Sequence, residues 1–167
     1  MLLTVGHGTS STDELSDRLL AAEVDLLVDV RRFPGSRRHP HLSREALQKR
    51  LPVGYRWEER LGGRRPLPDG SPEVALRNAA FRGYASHMRT AEFRDALAEV
   101  LASPVRTAVM CSETVWWRCH RRMVADAAVL LHGRPVQHLL GGRQSPHRPT
   151  DGVRVVGDQL VYDVVAP

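Results

Sequence analysis

The segment VRTAVMCSETVWWRCHRRMVADAAVLLH, residues 105–132, decides the fold. Its opening VRTAVM is short and mostly apolar, which predicts a strand that ends at Cys111. Farther on, Cys119, Met123, Ala127 and Leu130 recur at helical spacing and predict a helix running to about His132, with those four residues on its apolar face. The fourteen residues 109–122 also hold two cysteines, one carboxylate, two adjacent tryptophans, one histidine and three arginines. A connection between a strand and a helix does not require that much functional-group chemistry.

The same alternation runs through the rest of the chain. Residues 2–5, LLTV, read as a strand that stops at Gly6-His7-Gly8, and Ser11 stands three positions before Glu14, the spacing of a capping box at the start of a helix. VDLLVDV, residues 24–30, is a second strand, followed by Arg31-Arg32-Phe33-Pro34-Gly35-Ser36 and a polar loop to Leu42. A short helix begins at Ser43, a strand falls around Tyr55 to Trp57, and an arginine-rich, proline-rich loop follows. FRGYASHM (81–88) and TAEFRDALAEVLAS (90–103) predict two helices, the second capped by Thr90; PVQHLL (135–140) and QLVYDVV (159–165) predict two further strands. Strands alternating with helices argue for one α/β domain over residues 1–167, with a largely parallel central sheet flanked by helices. In such sheets the ligand crevice lies outside the carboxyl ends of the strands. His7, Asp29 with Arg31 and Arg32, Cys111 with Glu113, and His138 are therefore expected on one edge.

The composition narrows the class. A chain of 167 residues buries a sizeable core without staples, and two cysteines make no disulfide framework. No opening run of basic then apolar residues suggests a secretory signal, and the apolar runs fall short of the roughly 20 residues that span a bilayer. A soluble, cytoplasmic protein with no membrane partner is expected. The formal net charge is +5, and Lys49 is the only lysine, so the positive charge is almost all arginine, whose planar fork suits phosphates and carboxylates.

Cys111, leaving a strand toward a helix N-terminus, sits where a thiolate would be stabilised, although it equally suits a small buried thiol. The phosphatase arrangement needs arginine six positions after the cysteine; position 117 is Trp, and Arg118 comes one place late. Zinc is set aside because there is no CxxC pair and because adjacent Cys119 and His120 would diverge by about 100° on a helix. No metal and no cofactor are expected. Arg118, His120, Arg121 and Arg122 near the helix start form a candidate anion site, joined by Arg31, Arg32 and Arg82. Trp116, Trp117 and Tyr84 are candidates to stack on a ring. Asp29 and Glu113 are the candidate carboxylates for moving a proton or stabilising positive charge, with His7 beside them in a glycine loop.

TVGHGTS (4–10), LLVDVRRFPGSRRHPHL (26–42), RLGG (60–63), FRGYASHM (81–88) and VMCSETVWWRCHRRMVAD (109–126) together resemble the domain-of-unknown-function family 488, in the right order over most of the chain. The resemblance implies an α/β domain whose signature residues gather near one site. That family often carries G-H-S at the first loop, where this chain has Gly6-His7-Gly8.

The groups suit an enzyme acting on nucleic acid, DNA first. Arginines would hold phosphates, an aromatic ring would stack a base taken out of its helix, and a carboxylate would assist hydrolysis of the N-glycosidic bond. The expected activity is thus a metal-independent DNA glycosylase acting on a damaged or modified base. Two alternatives stand beside it: a thiol enzyme using Cys111 on a small anionic substrate, and a non-catalytic nucleic-acid-binding module.

Overall fold

The computed structural model describes residues 1–35 and 37–165; Ser36, in the loop after the second strand, lies outside the described residues. The chain folds as β1 (Leu2–Gly6), α1 (Thr12–Ala21), β2 (Leu26–Asp29), α2 (Arg44–Arg50), β3 (Gly54–Trp57), α3 (Ala79–Met88), α4 (Ala91–Leu101), β4 (Thr107–Cys111), α5 (Arg121–Leu130), β5 (Val136–Leu140), β6 (Arg143–Pro146), β7 (Val153–Val156) and β8 (Gln159–Tyr162). The central sheet has the order β3-β2-β4-β1-β5-β6, parallel throughout except for β6, which runs antiparallel to β5. The predicted α/β class with a largely parallel sheet is the architecture found. Among the described residues no helix is long and apolar enough to cross a membrane.

Alternation along the strands builds a three-layer sandwich. Leu3 and Val5 of β1, Leu27 of β2 and Ala108 and Met110 of β4 face Leu15 and Leu19 of α1 and Leu47 of α2. Val28, Val109 and Cys111 point to the other side, against Tyr84 and Met88 of α3, Phe93 and Leu97 of α4, and Met123 and Ala127 of α5. The capping box of α1 forms as its spacing requires, with the Ser11 hydroxyl accepting from the Glu14 N–H and the Glu14 carboxylate accepting from the Ser11 N–H. Thr90 caps α4 in the same way through the Phe93 N–H.

Three features differ from the sequence reading. The last strand belongs to a separate two-stranded ribbon, β7-β8, rather than to the central sheet. The sheet gains β6, RQSP, whose largely exposed residues carry no apolar alternation and whose Pro146 is tolerated because β6 lies at an edge. The long helix expected after Cys111 is broken: Trp116–Arg118 form a separate 3-10 turn, Cys119 is extended (φ −126°, ψ 149°), and α5 starts at Arg121 with His120 as its cap. Cys119 is therefore not on the helix at all, and its extended backbone turns the side chains of 116–119 out of the directions that a helix continuous with α5 would give them.

A buried polar network ties the C-terminal strands to this sandwich. Thr4 Oγ1 meets His138 Nδ1 at 2.6 Å, His138 Nε2 meets His147 Nδ1 at 3.0 Å, and His147 Nε2 meets Asp126 Oδ1 at 2.8 Å. Asp126 also accepts from the Thr150 N–H and the Tyr162 hydroxyl. Every member has a partner, as a buried polar network must to avoid a desolvation cost.

Candidate functional site

Because β2, β4 and β1 are adjacent and parallel, the residues that leave their carboxyl ends meet over one edge of the sheet. A cleft of about 750 Å³ opens there, and its walls include His7, Arg31, Arg32, Cys111, Glu113, Arg118, His120 and Tyr84. Those eight are the site residues from the sequence that the fold brings together. The glycines around His7 fit for a steric reason. A Cβ at Gly6 would stand 1.9 Å from the Glu113 carbonyl oxygen, and one at Gly8, whose φ is +53°, would stand 2.3 Å from Thr114 Oγ1. A serine at position 8 has no room while Thr114 stays in place.

Asp29 lies beneath the cleft, fully buried, and its carboxylate is saturated. It accepts from Arg31 Nε at 2.9 Å, Arg31 Nη2 at 2.5 Å, the Arg31 N–H at 3.1 Å and the Tyr55 hydroxyl at 2.6 Å. The group proposed as a base in the sequence reading instead holds Arg31, whose Nη1 reaches His7 Nε2 at 3.2 Å and the Leu42 carbonyl at 2.9 Å. His7 Nδ1 lies 2.9 Å from the Gly8 carbonyl, so the neutral tautomer protonated at Nδ1 satisfies both of its contacts. Burial, then the charge of Arg31, pushes the His7 pKa down to about 4.

The thiols also divide. Cys119 Sγ accepts from Arg121 Nε at 3.3 Å and from the Arg121 N–H at 3.5 Å. Burial raises the Cys119 pKa, but hydrogen bonding from Cys111 and the charge and donors of Arg121 outweigh it and bring it down to about 6. Cys111 goes the other way, up to about 12, through its hydrogen bond to Cys119 and then through burial. The thiol expected to ionise is therefore Cys119, where the sequence reading chose Cys111.

Several expected site residues do not reach the cleft walls. Trp116 stacks on His138, with ring centroids 4.1 Å apart and planes 5° apart, and meets His147 edge-on; His138 itself is buried in mid-strand opposite Thr4. Trp117, 46% exposed, packs edge-on against Trp116. Arg121 is buried, donating to Cys119 and to the Glu113 carbonyl; Arg82 donates to the Leu76 carbonyl; Arg122 lies over the Phe81 ring, 4.5 Å from its centroid. Tyr84 lines the floor, but it is 1% exposed and its hydroxyl donates to the Leu61 carbonyl, so it offers no open face for stacking.

Phe81, from the helix segment whose mix of aromatic and basic groups suggests a wall, lines the cleft. Beside it stand residues that the sequence reading passed over: Phe33, 64% exposed, Arg38 and Arg64. The signal available was the density of RRFPGSRRH in the loop after β2, where an exposed phenylalanine sits among four arginines. Counting the walls, five arginines (Arg31, Arg32, Arg38, Arg64 and Arg118) surround one carboxylate, Glu113.

A parallel α/β sandwich with an arginine-walled cleft at the carboxyl ends of β1, β2 and β4 is the class that fold and site define. The family model described as domain of unknown function DUF488 matches residues 11–128, and the chain belongs to that family. No curated protein and no solved structure matches it.

The depressed histidines set a pH dependence for folding. Burial, followed by the charges of His147 and Arg121, lowers His138 to about 3, as burial lowers His7 to about 4. An unfolded histidine titrates near pH 6.5, so below that pH the unfolded chain binds protons that the folded one refuses. Their contribution is full above pH 6.5 and is lost as the pH falls toward 4. The urea midpoint is expected to drop between pH 7 and pH 5, with a smaller drop in His7→Asn. A flat profile would mean that these histidines are charged in the folded chain.

Proposed function

We propose that the cleft binds nucleic acid, DNA first, and that the protein hydrolyses the N-glycosidic bond of a damaged or modified base. The observation that supports this reading most is the wall composition: five arginines, the rings of Phe33, Phe81 and Tyr84 and a single carboxylate around about 750 Å³, a volume within the range of ligand pockets. Arg32, Arg38, Arg64 and Arg118 hold phosphates. Phe33 takes the stacking role that the tryptophans were expected to fill. Glu113, exposed in the cleft, replaces Asp29 as the carboxylate that activates water or stabilises positive charge on the sugar. His7, kept neutral, accepts from Arg31 and fixes the guanidinium that faces the cavity.

The test is incubation with labelled DNA duplexes, each carrying one altered base, followed by mild alkali and a sizing gel. Alkali-dependent cleavage at one lesion is expected, lost in Glu113→Gln while binding persists. Arg38→Ala and Arg64→Ala are each expected to weaken binding and to lower the salt slope by about 0.9 per phosphate contact. Binding without cleavage across the panel would leave a binding module. Absence of both would sink the nucleic-acid reading in favour of a small anionic substrate. One observation favours that second reading, thiol chemistry: two sulfur atoms and an imidazole share the floor of the same cleft.

A further inference from the structure

We infer that Cys111, Cys119 and His120 bind a zinc(II) ion at the floor of the cleft, with one coordination position left open to the cavity. The break in the expected helix makes this arrangement. With Cys119 in extended backbone and His120 at the cap of α5, the side chains that would diverge on a helix converge on the end of β4. Cys111 Sγ and Cys119 Sγ lie 3.9 and 3.8 Å from His120 Nδ1, and the three atoms fall within 4.8 Å of one another. A tetrahedral zinc with bonds of about 2.3 Å to sulfur and about 2.0 Å to nitrogen sets its ligand atoms roughly 3.6–3.8 Å apart. The two sulfur-to-nitrogen separations need to close by a few tenths of an ångström around the ion, and the two sulfurs, within 4.8 Å of each other, by at most about 1 Å.

The surroundings suit a metal ion. His120 Nε2 lies 3.1 Å from the Val30 carbonyl and donates to it, which leaves Nδ1 unprotonated with its lone pair aimed at both sulfurs. A cation among the three atoms takes that lone pair and both sulfurs together. A ligating histidine whose other nitrogen is fixed on a backbone carbonyl is the usual second layer of a zinc site. Arg121 supplies the rest of that layer, donating from Nε and from its backbone N–H to the Cys119 sulfur. Gly63 keeps the space beside the ligand clear: a Cβ there would stand 2.9 Å from His120 Nδ1. All three ligands line the cleft, so the fourth position faces whatever the cavity holds. Three protein ligands and an open position are the pattern of zinc sites that bind a water or a substrate atom. Zinc binding by these three residues does not require that the substrate be nucleic acid.

The test uses the full chain. Zinc per chain is measured after purification without chelator; the metal-stripped protein is then titrated with cobalt(II) and with zinc against a chromophoric chelator. One zinc per chain is expected, with a cobalt spectrum showing thiolate-to-metal charge transfer and the intense visible bands of a four-coordinate ion. Cys119→Ser and His120→Ala are expected to bind zinc at least about 100-fold more weakly, since removing a direct ligand costs more than the 10–100-fold lost with an outer-layer partner. Arg64→Ala, which weakens DNA binding, should keep the metal. A six-coordinate cobalt spectrum in the parent chain would overturn the proposal without reference to any variant. So would zinc binding no tighter than in Cys119→Ser, or cysteines that react with a thiol reagent equally fast with and without zinc.

Discussion

Replacing Asp29 with asparagine is expected to destabilise the fold by about 3–5 kcal/mol, the usual loss when one partner of a buried ion pair is removed. Asp29 is fully buried and Arg31 only 7% exposed, and the carboxylate receives both Nε and Nη2 of the guanidinium. Asparagine keeps the shape and the ability to accept from Tyr55, but it leaves a buried positive charge beside His7 with no counter-charge. Urea unfolding measures the loss as a lower midpoint at unchanged slope. The double variant Asp29→Asn with Arg31→Leu is expected to recover much of it, because removing both charges removes the uncompensated one. If Asp29→Asn alone were as stable as the parent, the charge of Arg31 would have to be neutralised from elsewhere.

Gly6→Ala is expected to be comparably damaging for a different reason. The added Cβ would stand 1.9 Å from the Glu113 carbonyl oxygen and 2.8 Å from Arg121 Nη2, and the first of these is backbone that cannot rotate away. Moving the loop after β4 would also break the bond from Arg121 to that carbonyl. A loss on the order of 3 kcal/mol or more follows from overpacking with a forced backbone shift. It is accompanied by distortion of the cleft, since Glu113, which the added Cβ would displace, lines it beside His7 and Gly8. Circular dichroism melts check the first effect and DNA or zinc binding the second. A variant with parental melting and binding would show that the two loops yield more easily than this contact implies.

Much of the cleft was legible in the sequence because its residues follow directly from strand ends. His7, Arg31 and Cys111 each stand at or within two residues of the end of a strand, and the βα alternation makes those strands parallel, so one rule brings them together. What the sequence concealed depends on partners far along the chain. Nothing near Asp29 tells that Tyr55, 26 residues away, completes its shell, or that Trp116 is stacked on His138 rather than turned to a ligand. The helical spacing of Cys119, Met123 and Ala127 was real as a pattern, yet the 3-10 turn at Trp116–Arg118 restarts the backbone before Arg121. That local break reverses the reading of the two cysteines and His120 from divergent to convergent. Polar edge strands such as β6 carry no periodic signal, so their pairing with β5 appears only in three dimensions.

The sheet order carries a practical lesson about where this family begins and ends. The matched stretch, residues 11–128, contains β2, β3 and β4 but neither β1 nor β5. Yet β1 is the strand inserted between β4 and β5, and it brings His7 to the cleft. Asp126, near the end of that stretch, is satisfied entirely by groups beyond it, from His147, Thr150 and Tyr162. A fragment cut to the recognisable region would expose one edge of β4 and strip Asp126 of all three of its partners. The portion of the chain that identifies the family and the portion that folds as a body are therefore different lengths, and only the second is suited to expression and assay.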